Sequence, residues 1–506
     1  MSFTQPLRRR AQTDPSAAFT IYRDRVTSTA DMVDRVSRIA GWMRAQGMRS
    51  DDRVAIIDVN TDYFFQAAYA IAWADGILVP VNYRWSVAEI VASLEEAGVE
   101  IVIVGDSFRA LVPALREAMP SLRLFAHLGD EETPDGVVEP DTILQAESVP
   151  DAERGGMRVF GLFYTGGTTG ASKGVALTHT GIETSAIGTI IMAGFNRGGA
   201  HMAVAPQFHM GGLSGSIWAV LLEQTLVLVD QFDPLEAMRL IEKRRVTTTM
   251  LVPTMIQRLV DHPERPSHDL GSLTHLFYGA SPINEALLDR IRAALPSLAL
   301  VQAYGQTELS PTCSILNDED HNHPQRRKGQ GRVAIHARIK IVDENGDEVM
   351  PGQVGEICSK GDHVMLRYWN KPEQTAEALQ DGWMHTGDGG YLDEDGYLYL
   401  VDRLKDMIIS GGENVFSVEV ENAVAKHPSV QQCAVIGLPD DEWGERVHAV
   451  VQLRPGAPAP TAAELREFCK QRIAGYKAPR TVEIVDRWPL SATGKILKRD
   501  LRAQQQ

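Results

Sequence analysis

The chain predicts an α/β protein. It reads as a large N-terminal domain of parallel-type sheets covered by helices, a small β-rich subdomain, and a smaller α+β unit at the C-terminal end. Three observations carry this. At 506 residues the chain exceeds what one hydrophobic core fills, which calls for two or more domains. Strand-like and helix-like stretches alternate over the first 340 residues or so. The pattern then changes twice, near Gly329 and again after Asp402. These changes divide the chain into 1–402, with about 330–402 as the β-rich subdomain, and 403–506.

The elements follow in order. RVAIID, ILVPVN and EIVIVG are short apolar runs that read as buried strands, and TDYFFQAAYAIAWA between the first two reads as a helix. TLVLVDQF, PLEAMRLIEKR and VTTTMLVP repeat the strand–helix–strand order, as do THLFYGA, NEALLDRIRAAL and LALVQAYG. Strands joined through helices imply parallel pairing. ARIKIVDENGDEVM predicts two strands around an Asn345-Gly346 turn, a strong hairpin signal. GEICSKG and GYLYLVD add strands to the same subdomain. In the C-terminal unit SVEVENAVAKHP and TAAELREFCKQRI read as helices, and VQQCAVIGLP and RVHAVVQLRP as strands.

Charge and cysteine usage narrow the function. A net charge of −16 disfavours a general nucleic-acid binder and suits a soluble, cytoplasmic protein. Cys313, Cys358, Cys433 and Cys469 stand far apart with no C-x-x-C, so neither a disulfide framework nor a zinc site is expected. His321 and His323, in DEDHNHPQRR, read as residues of a solvated loop. No run of about 18 uncharged apolar residues appears, so no transmembrane segment is expected, and GGLSGSIWAVLL reads as a buried helix. The basic N-terminal stretch is not followed by an apolar run and does not read as a signal peptide.

The stretch YTGGTTGASKG, Tyr164 to Gly174, raises a chemical question. Glycines let backbone N–H groups crowd a ligand, threonines add hydroxyls, and Lys173 adds a compact positive charge. That inventory suits a polyphosphate, although a flexible surface loop has the same composition. It is not a P-loop: Ser172 precedes Lys173 where a glycine is needed, and Gly174 follows where Ser or Thr would hold Mg²⁺. A second lysine, Lys495, stands in SATGKI in a locally basic stretch of the C-terminal unit. It reads as a solvated surface lysine or as a second cation for the same anionic ligand.

Six motifs stand in order: YTGGTTGASKG, QFHMGG (207–212), YGQTE (304–308), HTGDGG (385–390), DRLKDMIISGGENV (402–415) and PLSATGKI (489–496). The set resembles the adenylate-forming superfamily of acyl-CoA synthetases, over nearly the whole chain. The resemblance implies ATP, Mg²⁺ and coenzyme A. It implies that Thr165, Gly166, Gly167, Thr168, Thr169, Gly170 and Lys173 wrap the β- and γ-phosphates. Two positions depart from the family's usual residues: Gly166 stands for Ser and Ser172 for Pro. Gly279, Ala280 and Ser281 line the adenine and acyl sites, with Gly305 also beside the acid. Tyr304 lies by the adenine, and Gln302 either meets its edge or is a buried polar strand residue. Thr307 resembles the residue that bonds the α-phosphate, Glu308 the Mg²⁺ ligand, and Asp388 the carboxylate that takes both ribose hydroxyls. Arg403 resembles a further ribose or phosphate contact. Lys405 stands at the family's hinge, which makes 403–506 a mobile lid.

What the resemblance implies for the reaction is a two-step activation. The acid and ATP give acyl-AMP and pyrophosphate, and a thiol then takes the acyl group and releases AMP. Lys495 bridges the acid and the α-phosphate in the first step. Gly411, Gly412 and Glu413 face the site in the second, and Lys477 holds CoA phosphates. His209 resembles a gate or carboxylate neighbour. Its place after Phe208, where amino-acid-activating members carry Asp, disfavours an amino acid, and Ala303 before Tyr304 disfavours a dicarboxylate. An apolar monocarboxylic acid is expected: a medium- or long-chain fatty acid, or an aryl or phenylpropenoic acid. A ligase that loads a carrier protein, and a nucleotide-binding regulator with a dead site, are the competing readings. A homodimer is compatible with the sequence.

Overall fold

The protein is described by a computed structural model covering residues 2–165, 172–279, 283, 285–403, 406–411, 413–490 and 496–505. Three sheets organise it. In the seven-stranded sheet, Leu124–His127, Ile101–Val104, Arg53–Ile57, Ile77–Pro80 and Val159–Thr165 lie side by side in parallel. Ile101–Val104 is buried along its whole length, as a strand covered on both faces must be. Val159–Thr165 then turns back antiparallel into Lys173–Thr178, which pairs with Arg367–Tyr368. The glycine-rich stretch therefore joins two strands of a hairpin, not a strand to a helix as in a P-loop.

A 14-stranded sheet holds the second layer. Its parallel centre runs Thr225–Leu228, Ala200–Ala203, Thr248–Leu251, His275–Gly279 and Ala299–Tyr304. Beyond Ala299–Tyr304 the pairing becomes antiparallel through Ser314–Leu316, Gly331–Val333, Tyr397–Arg403, Trp383–Leu392, Gly355–Lys360 and Arg338–Val342. The β-rich stretch thus continues the large sheet by hydrogen bonding.

One element departs from the expectation. No hairpin of two strands forms around Asn345-Gly346: Arg338–Val342 pairs with Gly355–Lys360, and the turn is closed by a single bridge, Val342 to Glu348. Pro351, just beyond, lacks the N–H that a continued ladder requires.

The five-stranded sheet is built after residue 406, from Ile408–Ser410, Glu413–Val415, Val430–Asp440, Gly444–Leu453 and Thr481–Ile484. Helices Ser417–Val424 and Ala462–Lys470 pack on it around Val420, Val435, Val447 and Leu465. Asp402 ties this unit to the large sheet. Its carboxylate accepts from the Ser417 backbone N–H at 2.6 Å and from that of Arg403 at 2.8 Å.

GGLSGSIWAVLL lies within and just beyond the helix Met210–Leu221, which is buried on nearly all sides. Among the described residues no helix is long and apolar enough to cross a membrane.

Candidate active site

The strand ends and turns that carry Lys173, Tyr304, Glu308, Asp388 and Arg403 come together. Thr165 and Lys173 are register partners at the open end of their hairpin. Lys173 Nζ lies 4.6 Å from the centroid of the Tyr368 ring, a cation–π contact. The Tyr368 hydroxyl donates to Glu308 Oε1 at 2.9 Å. Glu308 sits in the short 3₁₀ turn Thr307–Leu309, and its carbonyl accepts from the Met365 N–H at 2.8 Å. The segment 365–368 therefore grips Glu308 by both backbone and side chain. Thr307, beside it, is partly exposed.

Glu308 is only 7% exposed. Burial raises its carboxyl above the ordinary range, while the Tyr368 hydroxyl and the positive charges of Arg403 and Lys173 oppose the rise. A carboxylate in this position is desolvated and feels the charge of two nearby cations.

Asp388 forms the second node. It lies in Trp383–Leu392, opposite Arg403 in the ladder, with Arg403 Nε 2.6 Å from its Oδ1. The Tyr304 hydroxyl donates to Asp388 Oδ2 at 2.8 Å. Tyr304, expected beside the adenine, thus also orients the carboxylate expected at the ribose. Burial and the neighbouring Asp388 charge push the Tyr304 phenol well up, so it stays a donor at any ordinary pH. The turn before Asp388 is braced from the neighbouring strand. Glu356 accepts from the Gly387 N–H at 2.9 Å, and its other oxygen lies 2.8 Å from His385 Nδ1. Gly387, at φ +69°, adopts the left-handed conformation this turn requires.

Two glycines let backbones approach at the strand ends. A Cβ at Gly279 would stand 2.6 Å from the Ala303 carbonyl oxygen, and one at Gly305 would collide with that of Pro311. In QFHMGG, Gln207 braces the loop. Its amide donates to the Ala205 and Gly212 carbonyls, and its oxygen accepts from Ser216. His209 is the N-cap residue of Met210–Leu221 and packs against Phe208, ring centroids 4.2 Å apart.

Other expected residues stand differently. The Gln302 oxygen lies 3.0 Å from the Tyr278 hydroxyl and its amide donates to Gln330, so both ends are engaged within the fold. His321 is not solvated. It is 4% exposed, lies 2.7 Å from the Tyr278 hydroxyl and 2.7 Å from the Asn317 carbonyl, and burial pushes its pKa down to about 4. The short helical turn Glu319–Asn322 folds it inward, whereas His323, two residues on, is exposed. Lys477 pairs with Glu419 at 2.7 Å, so any anion there competes with a carboxylate. Gly411, at φ +64°, and Glu413 are exposed around a tight turn. Gly166, Gly167, Thr168, Thr169, Gly170, Ala280, Ser281, Lys405, Gly412 and Lys495 lie outside the described residues.

Tyr368 and Glu356 escaped the sequence reading. Each lies outside the six motifs and acts only through a strand partner brought near by folding, so no local signal marks it.

This geometry has relatives. Residues 7–369 match the model of the AMP-binding enzyme family, and residues 419–495 match that of the AMP-binding enzyme C-terminal domain. A feruloyl-CoA synthase from Amycolatopsis sp. is 36% identical over 98% of this chain and 97% of its own length. The fatty acid–[acyl-carrier-protein] ligase ScoC of Streptomyces coeruleorubidus is 33% identical over 97% of this chain and 94% of its own. Among solved structures, the o-succinylbenzoate CoA synthetase of Bacillus subtilis, in complex with its acyl-adenylate intermediate, superposes with a TM-score of 0.86. It is 29% identical and covers 98% of this chain and 97% of that one. With both family models matched in order and close relatives over nearly its whole length, the chain belongs to the AMP-binding enzymes and is an AMP-forming acyl-CoA synthetase.

Proposed function

We propose that this ligase activates an apolar monocarboxylic acid, an aryl or phenylpropenoic acid before a long-chain fatty acid, and passes the acyl group to CoA. The observation that carries the nucleotide half is the convergence of Lys173, Glu308, Tyr368, Asp388 and Arg403 from five separate elements of the chain. Asp388, aimed by Tyr304, takes the ribose hydroxyls, since one carboxylate offers two acceptors for two O–H donors. Lys173 faces the phosphates, and Arg403 adds a second cation beside them. Glu308 fits Mg²⁺: it is a hard oxygen donor whose desolvated charge gains from a cation. Bound there, the ion would neutralise phosphate charge. Lys495 is assigned to bring the acid carboxylate to the α-phosphate, because two anions must meet in that step. The boundary at 402/403 is assigned as the hinge of the lid, with Lys405 on it. Gly411 to Glu413 then line the path of the thiol.

The shape of the acyl side supports an aryl acid. The sheet face under helix Met210–Leu221 carries Gly279 and Ala303 at the strand ends, then Met250, Phe277 and Val301 two residues deeper. Opposite stands Gly211, where a Cβ would meet the Met250 methyl at 3.4 Å. Two residues deeper again, Trp218 stacks on Phe195 at 4.5 Å and meets His201 edge-on, so aromatic rings fill the core at that depth and would bound any acyl group entering from the strand ends. From strand end to floor is four residues, about 13 Å at the rise of a strand. A phenylpropenoic acid fits that length once the flexible Met250 side chain turns aside, and a long alkyl chain exceeds it.

The test is kcat/KM with ATP, Mg²⁺ and CoA over benzoic acid, phenylpropenoic acids and straight-chain acids from C6 to C16. A phenylpropenoic acid is expected to lead by at least about tenfold, the worth of about 1.4 kcal/mol. Palmitic acid as the best substrate would overturn the aryl preference. Adenylate formation without CoA transfer would point to a carrier-protein acceptor, as in the ScoC ligase.

A further inference from the structure

We propose that Glu356, Cys358 and His385 form a binding site for a thiophilic divalent cation, zinc first, behind the turn that presents Asp388. The site is separate from the Mg²⁺ and nucleotide assignments. Only its effect on ATP rests on Asp388 taking the ribose.

Two neighbouring strands bring the donors together. Glu356 and Cys358 stand two residues apart on Gly355–Lys360, so they share a face. Cys358 is opposite His385 in the ladder, while Glu356 is opposite Gly389. Two steps on one strand thus span four on the other, and the turn at Gly387 takes up the difference. His385 Nδ1 meets both partners, 2.8 Å from Glu356 Oε2 and 3.5 Å from Cys358 Sγ. The three donor atoms all fall within 4.8 Å of one another. No spacing such as C-x-x-C marks the set, because His385 stands 27 positions after Cys358.

The donor types and their distances suit zinc. Thiolate, imidazole and carboxylate all bind it, and bonds of about 2.0–2.3 Å in a tetrahedron place the ligand atoms about 3.3–3.6 Å apart. The Cys358–His385 pair already has that separation. The Glu356–His385 pair has to open by about 0.5 Å. One thiolate and one carboxylate balance a divalent charge, and the imidazole binds neutral. On binding, the Cys358 thiol gives its proton to solvent, and the imidazole carries its proton on Nε2, which frees the Nδ1 lone pair. One coordination position is left for water. The Glu356 and His385 side chains are 23% and 19% exposed and leave an entry path, whereas Cys358 is buried.

Glu356 also holds the turn. Its other oxygen accepts from the Gly387 N–H at 2.9 Å, and Asp388 is the next residue. A cation that draws Oε2 away from His385 rotates the carboxylate and loosens that bond. Occupancy therefore weakens ATP binding, and the site is an inhibitory one.

The experiment titrates the full chain with Co²⁺ as a coloured substitute for zinc. The wild type is expected to show a thiolate-to-cobalt charge-transfer band that saturates at about one ion per chain and disappears when Zn²⁺ is added. Cys358→Ser and His385→Gln are expected to lose the band, with melting temperature as the fold control for each. In acid-dependent ATP–pyrophosphate exchange at saturating Mg²⁺, micromolar Zn²⁺ is expected to raise KM for ATP at least about fivefold in the wild type, the weight of one hydrogen bond, and less than about twofold in Cys358→Ser. Glu308 is intact in that variant, so zinc displacing Mg²⁺ there would inhibit both proteins alike. A band absent from the wild type, or kept by both variants, would overturn the site. A band lost as expected, with KM for ATP unmoved by zinc or moved equally in both proteins, would overturn its tie to the ribose turn.

Discussion

Tyr368→Phe isolates the residue on which the phosphate side of the cleft depends. The substitution keeps the ring, and so the cation–π contact with Lys173, and removes only the hydroxyl that reaches Glu308 Oε1 at 2.9 Å. Glu308 is 7% exposed, so water cannot readily replace that donor. A hydrogen bond to a charged group contributes about 1.5–3 kcal/mol. At about 1.4 kcal/mol per factor of ten, adenylation should fall roughly 10- to 150-fold in kcat/KM for ATP. The pH profile should move with it. Burial already raises the Glu308 carboxyl, and the hydroxyl is among the groups that lower it, so its removal raises the carboxyl further. If the ionised form is the active one, activity is lost as pH falls through that value, and the acid limb shifts to higher pH. The assay is acid-dependent ATP–pyrophosphate exchange across pH at several Mg²⁺ concentrations, with melting temperature as the fold control. A change under about twofold, with the acid limb unmoved, would refute the role given to Tyr368.

Two further outcomes are expected. Lys495→Ala should depress adenylation at least about a hundredfold while sparing thioester formation from a supplied acyl-adenylate, since only the first step brings two anions together; equal loss in both half-reactions would contradict that division. Asp58→Asn should flatten the dependence of stability on pH. Asp58 is 5% exposed, and burial pushes its carboxyl from 3.8 to about 7 against the Thr61 hydroxyl and the Val59 N–H. The native state therefore holds a proton that the unfolded chain releases, so stability is full below about pH 4 and declines as pH rises to about 7. At 1.36 kcal/mol per pH unit the decline is at most about 4 kcal/mol, and urea midpoints at pH 5 and 8 should differ less in the variant. An unchanged difference would show that Asp58 is not the group responsible.

How much was legible in the sequence depended on how local the cause was. The parallel strands announced themselves because strands such as Ile101–Val104 are buried on both faces and must be apolar throughout. The motif carboxylates and lysines were legible because charged residues among glycines at strand ends have few structural uses. What stayed hidden needed a partner from far along the chain. Tyr368 touches Glu308 across 60 positions, and Glu356 braces Gly387 across 31. His321 looked solvated because its neighbours in sequence are polar, yet its partner is Tyr278, on a strand 43 residues earlier. The Asn345-Gly346 turn misled because a turn signal gives no account of how far the pairing runs beyond it: it stops at the Val342–Glu348 bridge, just before Pro351, and the strand's other edge pairs with Gly355–Lys360.

The products formed test the assigned reaction most directly. Purified protein with ATP, Mg²⁺, CoA and a phenylpropenoic acid should yield AMP, pyrophosphate and the CoA thioester in equal amounts, with sustained AMP release only when CoA is present. Release of ADP in place of AMP, or sustained AMP formation that CoA neither speeds nor converts to thioester, would contradict it.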